Sequence, residues 1–131
     1  MTRTTVDAPA APAAIGPYAH AATAPGAGLH FLSGQTPIDP ATGRLVDGDI
    51  GAQTRQAFAN LRAVLEAAGL GLEEVVKVNV YLTSMDDFQG MNAVYGETFT
   101  APYPARTTVA VAGLPLGARV EIELVAATPQ R

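Results

Sequence analysis

The sequence predicts an α+β domain in the order β-β-α-β-α-β-β, a mixed sheet with two helices on one face. Three observations carry this reading. Apolar residues recur at three- and four-residue spacing in two stretches: Phe58, Leu61, Val64, Leu65 and Ala68, then Phe88, Met91, Tyr95 and Phe99. Apolar residues alternate over 76–82 and 119–127, the period of a half-buried strand. Strand–helix–strand units cross over right-handed, which places both helices on the same side of the sheet.

Residues 1–14 read as a flexible arm, because Pro9 and Pro12 break helix and nothing there is periodic. Residues 15–131 then form a single domain. Gly16-Pro17 is a turn. Short strands over 18–23 and 29–33 flank Pro25-Gly26-Ala27-Gly28 and form a hairpin. Residues 36–48, with Asp39-Pro40, Thr42-Gly43 and Asp47-Gly48, have loop chemistry. Asp49 caps a helix over 50–68, and Gly69 supplies its left-handed end. Residues 76–82 give the cleanest strand. Ser84 caps a second helix, with Asp87 three residues on as in a capping box. Gly90 and Gly96 each cost that helix about 1 kcal/mol relative to Ala, so packing must hold it. Pro102 and Pro104 end it. Two strands, 106–112 and 119–127, flank the turn at 113–117 as a second hairpin.

Composition narrows the function. A chain of 131 residues is one domain. Charged residues are only 15% of it against 48% apolar, which suggests that other subunits cover part of the surface. The net charge is -4 and the eight basic residues are scattered, which disfavours nucleic acid. The absence of cysteine excludes disulfides, thiolate catalysis and Cys-ligated metal. No apolar run suits a secretory signal or a membrane span, so a cytoplasmic protein without membrane partners is expected.

The pattern also offers a site. Arg106 is the one charge in an otherwise neutral strand, on a face with Thr108, Ala110 and Ala112. On the last strand Val120, Ile122 and Leu124 claim the core, leaving Glu121, Glu123 and Val125 opposite. If the apolar faces share a core, Arg106 and Glu121 share the uncovered face. Its small residues suit an interface, and its cation and carboxylate suit a small anion with an acid/base beside it. The pattern alone does not choose between Glu121 and Glu123. A hairpin symmetric about Leu116 sets Glu121 opposite Ala110 or Val111, with Arg106 about 13 Å away along the strand. One small ligand hardly bridges that within one chain, which points to a cleft shared by two subunits.

Several short segments then occur in a telling order: Ile15-Gly16-Pro17-Tyr18, Ser33-Gly34-Gln35-Thr36-Pro37, Gln53-Thr54-Arg55-Gln56, Asn60-Leu61, Leu65-Glu66-Ala67-Ala68-Gly69, Val75-Val76-Lys77, Met91-Asn92, Pro104-Ala105-Arg106 and Val120-Glu121-Ile122-Glu123. From Ala14 to Ala127 the chain resembles the RidA (YjgF) family. The resemblance implies chorismate-mutase-like, ferredoxin-like subunits that form a homotrimer around a central β-barrel, with ligand clefts between subunits. It implies hydrolytic deamination of enamines and imines such as 2-aminoacrylate, giving pyruvate and ammonia. It implies Arg106 and Glu121 as catalytic residues and Tyr18, Ser33, Asn92 and Thr108 as substrate-binding ones. Many members have cysteine at the position of Thr108, which is expected to act largely through its backbone.

In this reading Arg106 clamps the substrate carboxylate through its planar fork, and Glu121 positions and deprotonates a water. Tyr18 and Ser33 shape the pocket, and no cofactor is needed. His20 and His30 have no acidic cluster beside them and read as strand residues, so no metal site is expected. No phosphate loop follows from 113–117 and no triad is available. The alternative is a trimeric metabolite-binding protein of the same fold without turnover. An RNA-directed nuclease is disfavoured by charge.

Overall fold

The computed structural model describes residues 3–24 and 26–129. Six strands form one sheet: β1 (Thr4–Val6), β2 (Ala21–Thr23), β3 (Leu29–Gln35), β4 (Val75–Leu82), β5 (Ala105–Ala110) and β6 (Val120–Ala127). Helices α1 (Ile50–Ala67) and α2 (Phe88–Thr98) cover one face. The strand order is β1-β2-β3-β6-β4-β5, with β4 and β5 parallel and every other pair antiparallel. The mixed sheet and the β2–β3 hairpin agree with the sequence reading.

Local signals set the helix ends. The Asp49 carboxylate accepts the Ala52 N–H at 2.9 Å and starts α1. Gly69, at φ +77°, ends it, with Leu70 N–H bonded to the Leu65 carbonyl and Gly69 N–H to that of Glu66. Phe58, Leu61, Val64 and Leu65 of α1 and Met91, Val94 and Tyr95 of α2 meet Leu32, Val78, Val80, Leu82, Val120, Ile122 and Leu124 of the sheet. These residues form the core.

Four expectations are corrected. Residues 3–14 are no arm: β1 pairs with β2, and Ala8 and Ala11 are buried. His20 pins this segment, since its Nδ1 accepts the Ala8 N–H at 2.9 Å and its Nε2 lies 2.8 Å from the Pro12 carbonyl. A carbonyl only accepts, so this ring is the neutral tautomer with its proton on Nε2. Met1 and Thr2 lie outside the described residues.

Second, β5 and β6 form no hairpin. The right-handed crossover through α2 lays β5 parallel against one edge of β4, and β6 takes the other edge. Third, Arg106, Thr108 and Ala110 pair with Val78, Val80 and Leu82, so they lie on the helix-covered face. The uncovered face carries Thr107 and Val109 of β5 beside Lys77, Asn79, Tyr81, Glu121, Glu123 and Val125. Arg106 and Glu121 therefore do not share a face. Fourth, the Ser84 hydroxyl accepts the Asp86 N–H at 3.1 Å and caps a short 3-10 turn, Met85–Asp87, ahead of α2. Asp87 makes no capping box. Its carboxylate takes two bonds from Arg119, at 2.6 and 3.2 Å.

Candidate active site

The sequence-derived residues fall into two clusters, one on each face of the sheet. The first is built on the edge strand β5 and on α2. The Arg106 guanidinium lies over the Tyr95 ring, 4.4 Å from its centroid, and 5.6 Å from that of Phe88. Its Nη1 donates to Asn92 Oδ1 at 2.7 Å. Two aromatic faces and one amide thus fix the plane of the guanidinium. Among the described residues no carboxylate pairs with it. Asn92, Tyr95, Gly96, Tyr103, Pro104 and Arg106 line an open cleft of about 440 Å³.

Thr108 lies two residues on. Among the described residues its Oγ1 is buried and without a partner, as is the Tyr95 hydroxyl. Val111 N–H donates to the Leu82 carbonyl at 2.7 Å, so by alternation Thr107 and Val109 turn their peptide groups towards β4. Arg106 and Thr108 turn theirs to the open edge of the sheet. The Thr108 N–H is therefore free to donate outwards, beside the guanidinium.

The second cluster lies on the uncovered face, where β3 meets β6. Between Leu32↔Leu124 and Gln35↔Ile122 the strand β3 carries one residue more than its partner, a bulge at Ser33–Gly34. The bulge brings Gly34 against Glu121, and Ser33 lines the same cleft. A Cβ on Gly34 would lie 2.1 Å from Glu121 Oε2, so the carboxylate rests over the bare glycine backbone. Ser33 Oγ donates to the Ala19 carbonyl at 2.7 Å. The Tyr18 hydroxyl accepts the Ile15 N–H at 3.4 Å and keeps its own proton free. Buried Asn60 donates to the carbonyls of Thr36 and Ile38, at 3.2 and 2.9 Å, and holds the loop that follows. Tyr18, Ser33, Gly34, Gln35, Thr36 and Glu121 line a cleft of about 270 Å³, and Pro12, Ala13 and Ile15 form its other wall.

Burial pushes the Glu121 carboxyl up, and the nearby Glu123 charge adds to it. Glu123 itself is held by the Tyr81 hydroxyl, whose pKa is pushed up to about 12, first by that hydrogen bond. This pairing separates the two candidate carboxylates: Glu123 is engaged by a phenol, while Glu121 opens into a cleft with Ser33 and Tyr18.

The structure thus brings Arg106, Asn92 and Thr108 together, and separately Glu121, Tyr18 and Ser33. From Val78 to Tyr81, the β4 partners of Arg106 and Glu121, is three residues, and two strand spacings also intervene. The two Cα atoms are therefore roughly 14 Å apart, on opposite faces. Sequence reasoning missed Tyr95 as the platform for Arg106, because a tyrosine in an apolar helical stripe reads as core. It also missed the bulge at Ser33–Gly34 and the N-terminal wall. Among the described residues no group of three His, Asp or Glu side chains is placed to hold a metal ion. No helix among them is long and apolar enough to cross a membrane.

The family model described as Endoribonuclease L-PSP, that of the YjgF/RidA proteins, matches residues 8–128. The chain belongs to the RidA family. It is 46% identical over 126 residues to protein DfrA of Myxococcus xanthus, covering 96% of each chain. It is 43% identical over 120 residues to the 2-iminobutanoate/2-iminopropanoate deaminase of Dermatophagoides farinae, covering 92% of each. The crystal structure of RidA from the Antarctic bacterium Psychrobacter superposes with a TM-score of 0.89 at 43% identity, over 95% of this chain and 98% of that one. The six-stranded sheet with two helices is thus the fold of solved RidA-family structures.

Proposed function

We propose that this RidA-family chain hydrolyses enamine and imine forms of 2-amino acids, such as 2-aminoacrylate, to the 2-keto acid and ammonia. The observation that carries the reading is a pair of complementary half-sites. One presents a guanidinium without an anion, the other a half-buried carboxylate with raised pKa. Relatives named 2-iminobutanoate/2-iminopropanoate deaminase support it.

The half-sites face away from each other, so a second copy has to complete each one. Arg106 of one copy, with the Thr108 N–H on its open sheet edge, then meets Glu121, Tyr18 and Ser33 of its neighbour. An unpaired edge strand and an uncovered face are what association would cover. The expected assembly is the homotrimer, with these clefts between subunits.

The chemistry follows from the groups. Arg106 takes the substrate carboxylate by two parallel N–H bonds, and Asn92 and Tyr95 keep the fork in plane. Glu121 takes a proton from a water, whose oxygen bonds to the imine carbon as the C=N π pair moves to nitrogen. From the iminium form the proton then passes to the carbinolamine nitrogen, the C–N bond breaks to release ammonia, and the hydroxyl proton goes to Glu121 as the carbonyl forms. The imine carbon is electrophilic in itself, so these residues suffice for the step. The family model's name points instead to RNA cleavage. A net charge of -4 with scattered basic residues favours a small anionic substrate over a polyanion.

The test is ammonia and 2-keto acid release from 2-aminoacrylate generated in situ. Release well above the spontaneous rate is expected. A rate equal to the buffer alone, from protein that still binds 2-keto acids, would favour the non-catalytic binder.

A further inference from the structure

Hydrogen-bond polarity sets which end of a ligand the Glu121 cleft can take. A serine hydroxyl has one proton and two lone pairs. The Ser33 proton is given to the Ala19 carbonyl at 2.7 Å, a group that only accepts. Ser33 therefore turns lone pairs to the cleft. Pointing its proton at a ligand instead would strand the Ala19 carbonyl. Glu121, when ionised, is also an acceptor only. Among the described residues no lysine, arginine or histidine lines the cleft. Thr36 also brings a hydroxyl to the cleft, and Tyr18 has a proton to spare. Its oxygen already accepts the Ile15 N–H, which leaves the phenol proton for a water or carbonyl oxygen.

Two acceptors lining one cleft repel a carboxylate and match a group with two N–H donors. We infer that Ser33 and Glu121 together recognise the nitrogen end of the ligand through two separate N–H bonds. Ser33 is thereby a specificity-determining residue that selects unsubstituted iminium, =NH2+, over N-substituted imines. The inference rests on the deaminase reading for its substrate, but the polarity of the cleft stands on the Ser33–Ala19 bond and the bulge that aims it. An N-methyl imine has at most one N–H. It leaves one acceptor unpaired and puts a methyl group where the second bond should form.

Binding and turnover test this separately. By NMR titration, alanine, with three N–H donors, should bind about tenfold or more tightly than N,N-dimethylalanine. Ser33→Ala should bring the two within about twofold while leaving pyruvate binding, which lacks N–H, near its parental value. In turnover, imines made from pyruvate with ammonia or methylamine are compared as kcat/KM over the spontaneous rate. The parent should favour the ammonia imine about tenfold or more, and Ser33→Ala should erase that preference. Equal binding of alanine and N,N-dimethylalanine by the parent overturns the inference, as does a Ser33→Ala variant that keeps the full preference. Should Ser33→Ala fail to fold, the parental comparison decides alone. A parent that discriminates in binding but hydrolyses neither imine upholds the polarity of the cleft and overturns the deaminase reading.

Discussion

Arg106 and Glu121 lie on opposite faces of one sheet, with β4 between their strands. Arg106 pairs with buried Val78 beneath α2, whereas Glu121 pairs with Tyr81 on the uncovered face. A single chain therefore cannot close both groups on one small substrate.

Mixing two inactive variants should restore activity. Arg106→Ala retains Glu121, and Glu121→Gln retains Arg106. If each cleft takes one residue from each of two neighbouring copies, an equimolar random assembly regains about one quarter of the parental sites. Co-refolding followed by an ammonia assay checks this. Activity no higher than that of either variant alone would place both residues in one chain's site.

Arg106→Ala should lower kcat/KM by roughly ten- to two-hundredfold, since a charge-assisted bidentate contact is worth about 1.5–3 kcal/mol. Arg106→Lys should recover only part, because an ammonium lacks the planar fork and the stacking on Tyr95. Steady-state kinetics on a carboxylated and a neutral imine check both. The deficit should vanish for the neutral one.

Activity should fall as pH drops through the raised pKa of Glu121, because the base works only when ionised. Burial is the larger cause and Glu123 the smaller, so Glu123→Gln should move this acid limb to lower pH. The same shift has a stability sign. A carboxyl raised in the folded state binds its proton more tightly there, so its contribution is favourable at low pH and lost as pH rises through the folded value. Glu121→Gln should accordingly melt higher than the parent at pH 7, with the gap closing below about pH 4. Thermal melts at both pH values test it. A parent that melts higher than Glu121→Gln at pH 7 would contradict this assignment.

His20→Ala should loosen the wall of the Glu121 cleft. It strands the Ala8 N–H and the Pro12 carbonyl, at about 1–3 kcal/mol each. His20→Gln offers one acceptor and one donor at similar spacing and should recover much of this. Amide exchange of residues 8–14 should quicken in His20→Ala and return towards parental in His20→Gln. Unchanged exchange in both would mean that packing of Ala8 and Ala11 alone holds the segment.

The elements legible from sequence are those whose cause is local. Asp49 reaches the Ala52 N–H three residues away, and Gly69 supplies its own left-handed turn, so both ends of α1 could be read directly. Alternation over β4 and β6 told which residues of each strand share a face, and the family resemblance named Arg106, Glu121, Tyr18, Ser33, Asn92 and Thr108 as candidates.

What the sequence could not carry is which partner each strand takes. Alternation is a period within one strand and is silent on which sheet face its phase meets. Placing β5 outside β4 turned Arg106 under α2, and only the Val78 pairing shows it. The strand β1 spans Thr4–Val6, too short for any period, and exists because β2 offers it an edge. The Ser33–Gly34 bulge is a mismatch in count between two strands far apart in sequence. The caps of α1 and the phase of each strand were therefore determined by the sequence alone. Strand order, register and the separation of the two half-sites are long-range pairings, which only the tertiary structure decided.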